Sequence, residues 1–149
     1  MKDNINRKPE DLAYLAGYID ADGTIGLRHY KPRNEYIPVL SIVSCRRDIL
    51  EDLQNIAAVG GYIWTGENAK GSGRLISRLQ YSHRKACKVC EMAFPYLRLK
   101  GVQAALIVQI GAFRRRHHYK MDFCVDSYYA PRFEEMRRLN AANKAQKIR

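Results

Sequence analysis

The sequence is poor in acid. Asp and Glu number 15 against 26 Lys and Arg, a formal net charge of +11 over 149 residues, and such an imbalance points to a polyanionic partner such as nucleic acid. Apolar runs are short: none approaches the ~18 residues that a membrane-spanning helix needs. Met1–Glu10 is polar and charged, so no secretory leader is expected either. Cysteine is scarce. Of Cys45, Cys87, Cys90 and Cys124, only Cys87 and Cys90 form a C-x-x-C, and no second pair follows at zinc-ribbon spacing. Even with His83 one turn upstream, they read as small helix residues in a reducing compartment rather than as metal ligands. Apolar residues are not lacking, at 46%. That argues against disorder and, at this length, for one domain over 1–149.

No block of sequence repeats. Leu12, Leu15 and Ile19 form a helical stripe over 10–22, which Gly23 ends. Residues 24–30 and 36–44 read as strands around a Lys-Pro-Arg-Asn turn at 31–34. A second helix starts at Asp48, with Ile49, Leu50, Leu53 and Ile56 apolar, and stops at Gly60 and Gly61. Two more strands, 62–65 and 74–81, flank a Gly-rich loop at 70–73, and helices follow over about 84–93, 101–115 and 131–143. This order predicts an α+β fold with an antiparallel four-stranded sheet and C-terminal helices. Residues 140–149, with Lys144, Lys147 and Arg149 among few apolar neighbours, read as a frayed basic tail.

The informative stretch is Leu15-Ala16-Gly17-Tyr18-Ile19-Asp20-Ala21-Asp22-Gly23. Ala13, Gly17 and Ala21 are spaced at i, i+4 and i+8, a face of small residues that lets two helix backbones approach closely. Leu12, Leu15 and Ile19 face elsewhere and suit the core. Asp22 stands at the helix C-terminus, where the macrodipole disfavours a carboxylate by some tenths of a kcal/mol. Two such helices in contact would also bring two Asp22 carboxylates together, and a divalent cation with a taste for hard oxygen, such as Mg²⁺, relieves both problems. Asp20 reads as a cap of the turn that follows.

These nine residues resemble the motif of the LAGLIDADG homing endonucleases, departing from the family name only at Tyr18, and the element order resembles the family's αββαββα fold. The resemblance implies a single-motif enzyme acting as a homodimer. Its activity would be metal-dependent hydrolysis of phosphodiester bonds at a long pseudo-palindromic site in double-stranded DNA, with no small-molecule substrate. It implies Mg²⁺ as cofactor, with Mn²⁺ or Ca²⁺ also able to occupy the site, held by the Asp22 carboxylate and the Ala21 backbone carbonyl. Lys100, in the segment Phe94-Pro95-Tyr96-Leu97-Arg98-Leu99-Lys100, takes the place of the family's active-site lysine and is expected to touch the reacting phosphate or its water. Cys45 stands where the family commonly keeps a polar residue, often Gln, near the metal-bound water. Arg46 and Arg47 beside it are expected phosphate clamps. An intron- or intein-encoded protein of a prokaryotic cytoplasm or an organelle matrix fits the same resemblance.

A twisted sheet can follow the major groove, one face buried and one reading bases. In the fourth strand Leu75 and Leu79 take the core face, leaving Arg74, Ile76, Arg78 and Gln80 outward, a set suited to guanine edges, thymine methyls and adenine edges. In the first strand Ile25 and Leu27 bury, while Gly26, Arg28 and Tyr30 face out. Lys31, Arg33 and Lys70 are expected phosphate contacts, and Tyr36 and Trp64 are candidates to pack on bases. For the second strand the expected register turns Tyr36, Pro38, Leu40 and Ile42 outward. The run Arg114-Arg115-Arg116-His117-His118 reads as a solvated face or a phosphate contact. A non-cleaving nucleic-acid binder, either an intron maturase or a DNA-binding regulator, competes with the nuclease. A basic ribosome-associated protein leaves Asp22 and the small-residue face unexplained.

Overall fold

The computed structural model describes residues 7–68, 73–117 and 125–147. Helix α1 runs from Pro9 to Asp22, with Pro9 in its first turn and Glu10 and Asp11 favourably placed at the positive end of the helix dipole. At Gly23 the chain passes directly from helix into β1 (Gly23–Tyr30). The Gly23 N–H closes the helix on the Ile19 and Tyr18 carbonyls. A Cβ here would lie 2.7 Å from both Cα and O of Ile19, so space, not dihedral freedom, requires glycine.

A 3₁₀ turn over Lys31–Arg33 and a left-handed Asn34 (φ 45°) lead into β2 (Glu35–Ser44). Helix α2 (Arg47–Ala57) buries Leu50, Leu53 and Ala57. It stops three residues before Gly60, because Ala58 adopts φ 48° and returns its N–H to the Gln54 and Asn55 carbonyls. Arg7 satisfies further end carbonyls of this helix, donating to Ile56 O (3.2 Å) and Ala57 O (2.9 Å). Strands β3 (Tyr62–Glu67) and β4 (Leu75–Ser82) precede helices α3 (His83–Ala93), α4 (Gly101–Arg116) and α5 (Ala130–Lys147).

The four strands form one antiparallel sheet in the order β1-β2-β4-β3. Its inner face carries Ile25, Leu27, Leu40, Ile42, Leu79 and Tyr81, packed with Leu15 and Ile19 of α1, Leu53 of α2, Val89 of α3 and Ile107 of α4 in one core cluster. Helices α3 and α4 come close at Gly111, where a Cβ would sit 3.0 Å from that of Cys87. Cys87 and Cys90 are buried thiols, both pushed up in pKa first by burial. A stack of His29, Tyr36 and Tyr129, at centroid spacings of 4.2 and 5.4 Å, ties the β1–β2 hairpin to the C-terminal helices. Arg114 reinforces it, donating to Tyr129 Oη (2.9 Å) and to the Tyr36 carbonyl. No described helix is long and apolar enough to cross a membrane.

Three expectations change. The register turns Tyr36, Pro38, Leu40 and Ile42 inward, opposite His29, Leu27, Ile25 and Gly23. The outer face of β2 is therefore Glu35, Ile37, Val39, Ser41 and Val43. Leu75, expected in the core, is 59% exposed beside its partner Glu67 at the open end of the β3–β4 pair. Helix α5 stays regular past residue 140 and through Lys147, tied to edge strand β1 by the Asn140 side-chain amide donating to Ile25 O (3.0 Å).

Candidate active site and nucleic-acid interface

The last turn of α1 carries two carboxylates with different environments. Asp20 is half-buried and accepts three backbone N–H bonds, from Arg98 (2.8 Å), Leu99 (3.2 Å) and Lys100 (3.0 Å). It caps a turn, as the sequence reading has it, but the turn lies about 80 residues downstream, at the start of α4, rather than beside it. Asp22 is exposed, and no hydrogen bond or ion pair engages it among the described residues. Ala21 beside it is exposed as well. One carboxylate is held by the fold and the other is presented to solvent.

Lys100 stands at the same end of α1 as Asp22. It is 6% exposed, and its ammonium donates to the carbonyls of Ile19, Asp20 and Gly23, each at 2.7 Å. An ammonium has three protons, and three short bonds take them all. In this arrangement the cation caps α1, complementing the negative helix end.

The segment after β2 turns on Ser44, whose Oγ accepts the Arg46 N–H (3.0 Å). Cys45 is exposed at that bend. Arg46 and Arg47 then part company. Arg46 pairs with Asp48 through both Nε (3.1 Å) and Nη2 and lies toward Tyr14 and Tyr18 of α1. The hydrogen bond from Arg46 is the main cause holding the Asp48 carboxyl below the usual carboxylate range. Arg47 donates to Glu51 (2.8 Å) and to Thr65 Oγ1 (2.9 Å), which places it at the edge of β3. Each guanidinium would have to exchange a carboxylate for a phosphate in order to act as a clamp.

The outer face of the sheet mixes polar and apolar side chains: on β2, Ile37 is buried and Val39 and Val43 are half-buried. Thr24, Ser41, Gln80 and Tyr62 stand in one row across all four strands, and Val43, Arg78 and Trp64 in the next across β2, β4 and β3. Arg28 and Tyr30 extend this face along β1. A concavity of about 330 Å³ opens over β3 and β4, lined by Tyr62, Trp64, Glu67, Asn68, Ile76, Arg78 and Gln80. Trp64, 43% exposed, lies across Gly66, where a Cβ would come within 2.2 Å of its ring. Tyr62 (67% exposed), Glu67 and Asn68 were missed from the sequence. Strict alternation of β3 against β4 would have found Tyr62. Arg74 is exposed just ahead of β4, and Lys31 and Arg33 are exposed at the hairpin turn. Tyr36 is on the opposite, helix-covered face and does not reach this surface. Lys70 and His118 lie outside the described residues. Arg115 and Arg116 are exposed at the end of α4, a favourable end for cations.

A second exposed feature adjoins Asp22. Ala13, Gly17 and Ala21 line the solvent side of α1 with Tyr14, and a Cβ on Gly17 would meet nothing within 4 Å. Among the described residues no three His, Cys, Asp or Glu come together as a metal-binding group. One chain therefore offers a single unengaged carboxylate at the end of α1, with the neighbouring Ala21 carbonyl.

The sequence matches no protein-family model and no curated protein. Solved structures do match. The homing endonuclease I-CvuI in complex with DNA superimposes with a TM-score of 0.69 at 24% identity, over 89% of this chain and 85% of that one. The archaeal intron-encoded homing endonuclease I-Vdi141I, complexed with DNA, gives 0.67 at 16% identity, over 87% and 84%. The LAGLIDADG homing endonuclease I-GzeII, in complex with its DNA target, gives 0.63 at 17% identity, over 85% of this chain and 43% of that one. With these matches, the antiparallel sheet and the helix-to-strand turn at Gly23, this chain has the LAGLIDADG homing-endonuclease fold.

Proposed function

We propose that the protein is a site-specific double-stranded DNA endonuclease, acting as a homodimer with a divalent cation, Mg²⁺ foremost. The observation that carries this reading is Asp22. Its carboxylate leaves the end of α1 exposed and unengaged among the described residues, beside an open small-residue face and at the head of the strand that begins the outer sheet surface. The structural neighbours are homing endonucleases bound to DNA, among them I-CvuI in one complex with Mg, its DNA not cleaved, and in another with Ca, and they support DNA binding together with divalent cations.

The residues present fit a hard divalent ion. Asp22 and the Ala21 carbonyl are oxygen donors, and a second copy packed through Ala13, Gly17 and Ala21 would bring a second Asp22 alongside. When bound, the ion would polarise the scissile phosphate and activate water for in-line attack. The chain's own residues do the rest. Arg28 and Arg78 present paired N–H donors to base edges, Gln80 presents an amide that both donates and accepts, and Ile76 and Trp64 present apolar surface to thymine methyls. Lys31, Arg33 and Arg74 neutralise phosphates at the ends of the sheet, Arg46 does so near α1 and Arg47 at the edge of β3. The match to 43% of I-GzeII leaves more than half of that chain unmatched.

The test is cleavage of a plasmid library of randomised targets by the purified protein, with and without Mg²⁺. Recovery of a long, pseudo-palindromic cut site only with the metal is the expected result. Selection of a bound sequence that stays uncut in Mg²⁺, Mn²⁺ and Ca²⁺ alike would leave a non-cleaving binder on the same fold instead.

A further inference from the structure

We infer that a cavity on the helix-covered side of the sheet is a second ligand site, one that takes a nucleoside phosphate. Its volume is about 740 Å³, inside the roughly 300–1,000 Å³ of small-molecule sites. The β1–β2 turn, one face of α3, the end of α4 and Tyr129 wall it. Tyr36 and Tyr129 stack against one another on this inner side, so DNA on the outer face of the sheet leaves the cavity open. The floor lies where α3 and α4 come close. Cys87 and Gly111 meet there, and both are too small to rise into the space. The turn wall is set in advance, because Asn34 (φ 45°) is bonded to His29 (2.8 Å) and donates to Asp126 (3.1 Å).

Charge marks the ligand. Five cationic side chains line the cavity against two carboxylates, and one of the two, Glu35, faces His83 at 3.7 Å. Arg114 is anchored across the floor by Tyr129 Oη and the Tyr36 carbonyl. Arg115 folds back over Gly111, its Nη1 3.7 Å from where a Cβ would stand. Among the described residues no ion pair engages Arg33, Arg84 or Arg115. The dipole of α4 accounts for arginines at its end. Helix α3, however, opens with His83, Arg84 and Lys85 and no acid in its first turn, the wrong charge for a positive helix end. An anion in the cavity relieves that crowding, and guanidinium forks suit phosphate oxygens. Phosphate alone fills little of the volume. The tyrosine rings and the Cys87 thiol give the remainder an apolar lining that suits a base. A duplex is too broad to enter and would touch only the rim.

The test is calorimetric titration of the full chain with ADP and with GDP, with EDTA present so that a cation at Asp22 plays no part. One site per chain is expected. Arg84→Ala and Arg115→Ala, both at exposed positions, should each weaken binding by about tenfold or more, the scale of one charge-assisted contact. Adenosine and inorganic phosphate, each supplying half of the ligand, should each bind at least about tenfold more weakly than ADP. Arg78→Ala, on the outer face, should leave ADP affinity unchanged. Amide NMR shifts of the wild type with ADP should gather at Cys87, Gly111 and Tyr129. Shifts gathered instead at Trp64, Arg78 and Gln80, with affinity lost in Arg78→Ala, would place the nucleotide on the DNA face and overturn the inference. Inorganic phosphate binding as tightly as ADP would reduce the site to a rim for simple anions and overturn it too. A single-stranded RNA that displaces ADP at far lower concentration, with shifts spreading to Lys85 and Arg116, would put nucleic acid in place of the small ligand. Neither heat nor shifts with millimolar ADP or GDP would remove the site altogether. None of these measurements needs cleavage, so a chain that cuts nothing defeats the nuclease reading and leaves this one to be judged on its own.

Discussion

Gly17→Leu separates the fold of one chain from the assembly of two. In a single copy, Gly17 faces open space, with nothing within 4 Å of a Cβ. Glycine inside a helix costs about 0.8–1.0 kcal/mol relative to alanine, and leucine is nearly as good a helix former as alanine. The variant monomer should therefore be as stable as the wild type or more stable by up to about 1 kcal/mol. In a dimer packed through Ala13, Gly17 and Ala21 the same leucine enters a close backbone contact. Overpacking costs roughly 1–3 kcal/mol per site, and a two-fold pair carries it twice, about 2–6 kcal/mol. At 1.4 kcal/mol per decade this weakens association by about 30-fold to about 10⁴-fold. Sedimentation equilibrium at micromolar concentration should show the wild type dimeric and Gly17→Leu largely monomeric, with an undiminished helical circular-dichroism signal. Cleavage should be lost with the dimer. A Gly17→Leu protein that remains dimeric and cuts would refute the small-residue interface, and a wild type that is monomeric while active would refute the homodimer altogether.

Asp22→Asn should lower the cleavage rate by orders of magnitude at saturating Mg²⁺, because a neutral amide is a poor ligand for a hard cation; gel-shift affinity for the target should survive, and undiminished cutting would remove the metal assignment. Gly23→Ala should destabilise the fold by about 1–3 kcal/mol, since its Cβ meets Ile19 backbone rather than a movable side chain. The melting temperature should fall by roughly 2–4 °C for each kcal/mol, and an unchanged melt would contradict the close approach. Arg78→Ala should cost about 1–3 kcal/mol in binding and relax base preference at single positions of the target profile. Lys31→Ala should instead weaken all sequences alike and reduce the salt slope by about one; equal behaviour of the two variants would contradict the assigned faces.

The parts legible in the sequence are those in which the signal is local. The stripe Leu15 and Ile19 against Ala13, Gly17 and Ala21 marks two faces of α1 because helical periodicity needs only a few turns to show. In β1 and β4 the alternation of Ile25 with Leu27, and of Leu79 with Arg78 and Gln80, sorts inner from outer residues in the same way. Strand β2 defeats that reasoning. Ile37, Val39 and Val43 on one parity are as apolar as Tyr36, Leu40 and Ile42 on the other, so period-2 contrast vanishes. Only pairing with β1 on one side and β4 on the other fixes which set is buried. Tyr36 went to the wrong face for this reason.

The sequence by itself determined the excess of cation over acid, the order of elements, the helix-to-strand turn at Gly23 and the isolation of Asp22 at a helix end. Each follows from charge or short-range spacing, which needs no partner to be read. Tertiary structure alone decided what the charged groups touch. Lys100 is linked to carbonyls 77 to 81 residues away, and Asp20 to amides 78 to 80 residues away. No local pattern distinguishes such a lysine from a solvated one. Burial does, because a cation withdrawn from water must have its protons satisfied, and the nearest acceptors were the bare carbonyls at the end of α1.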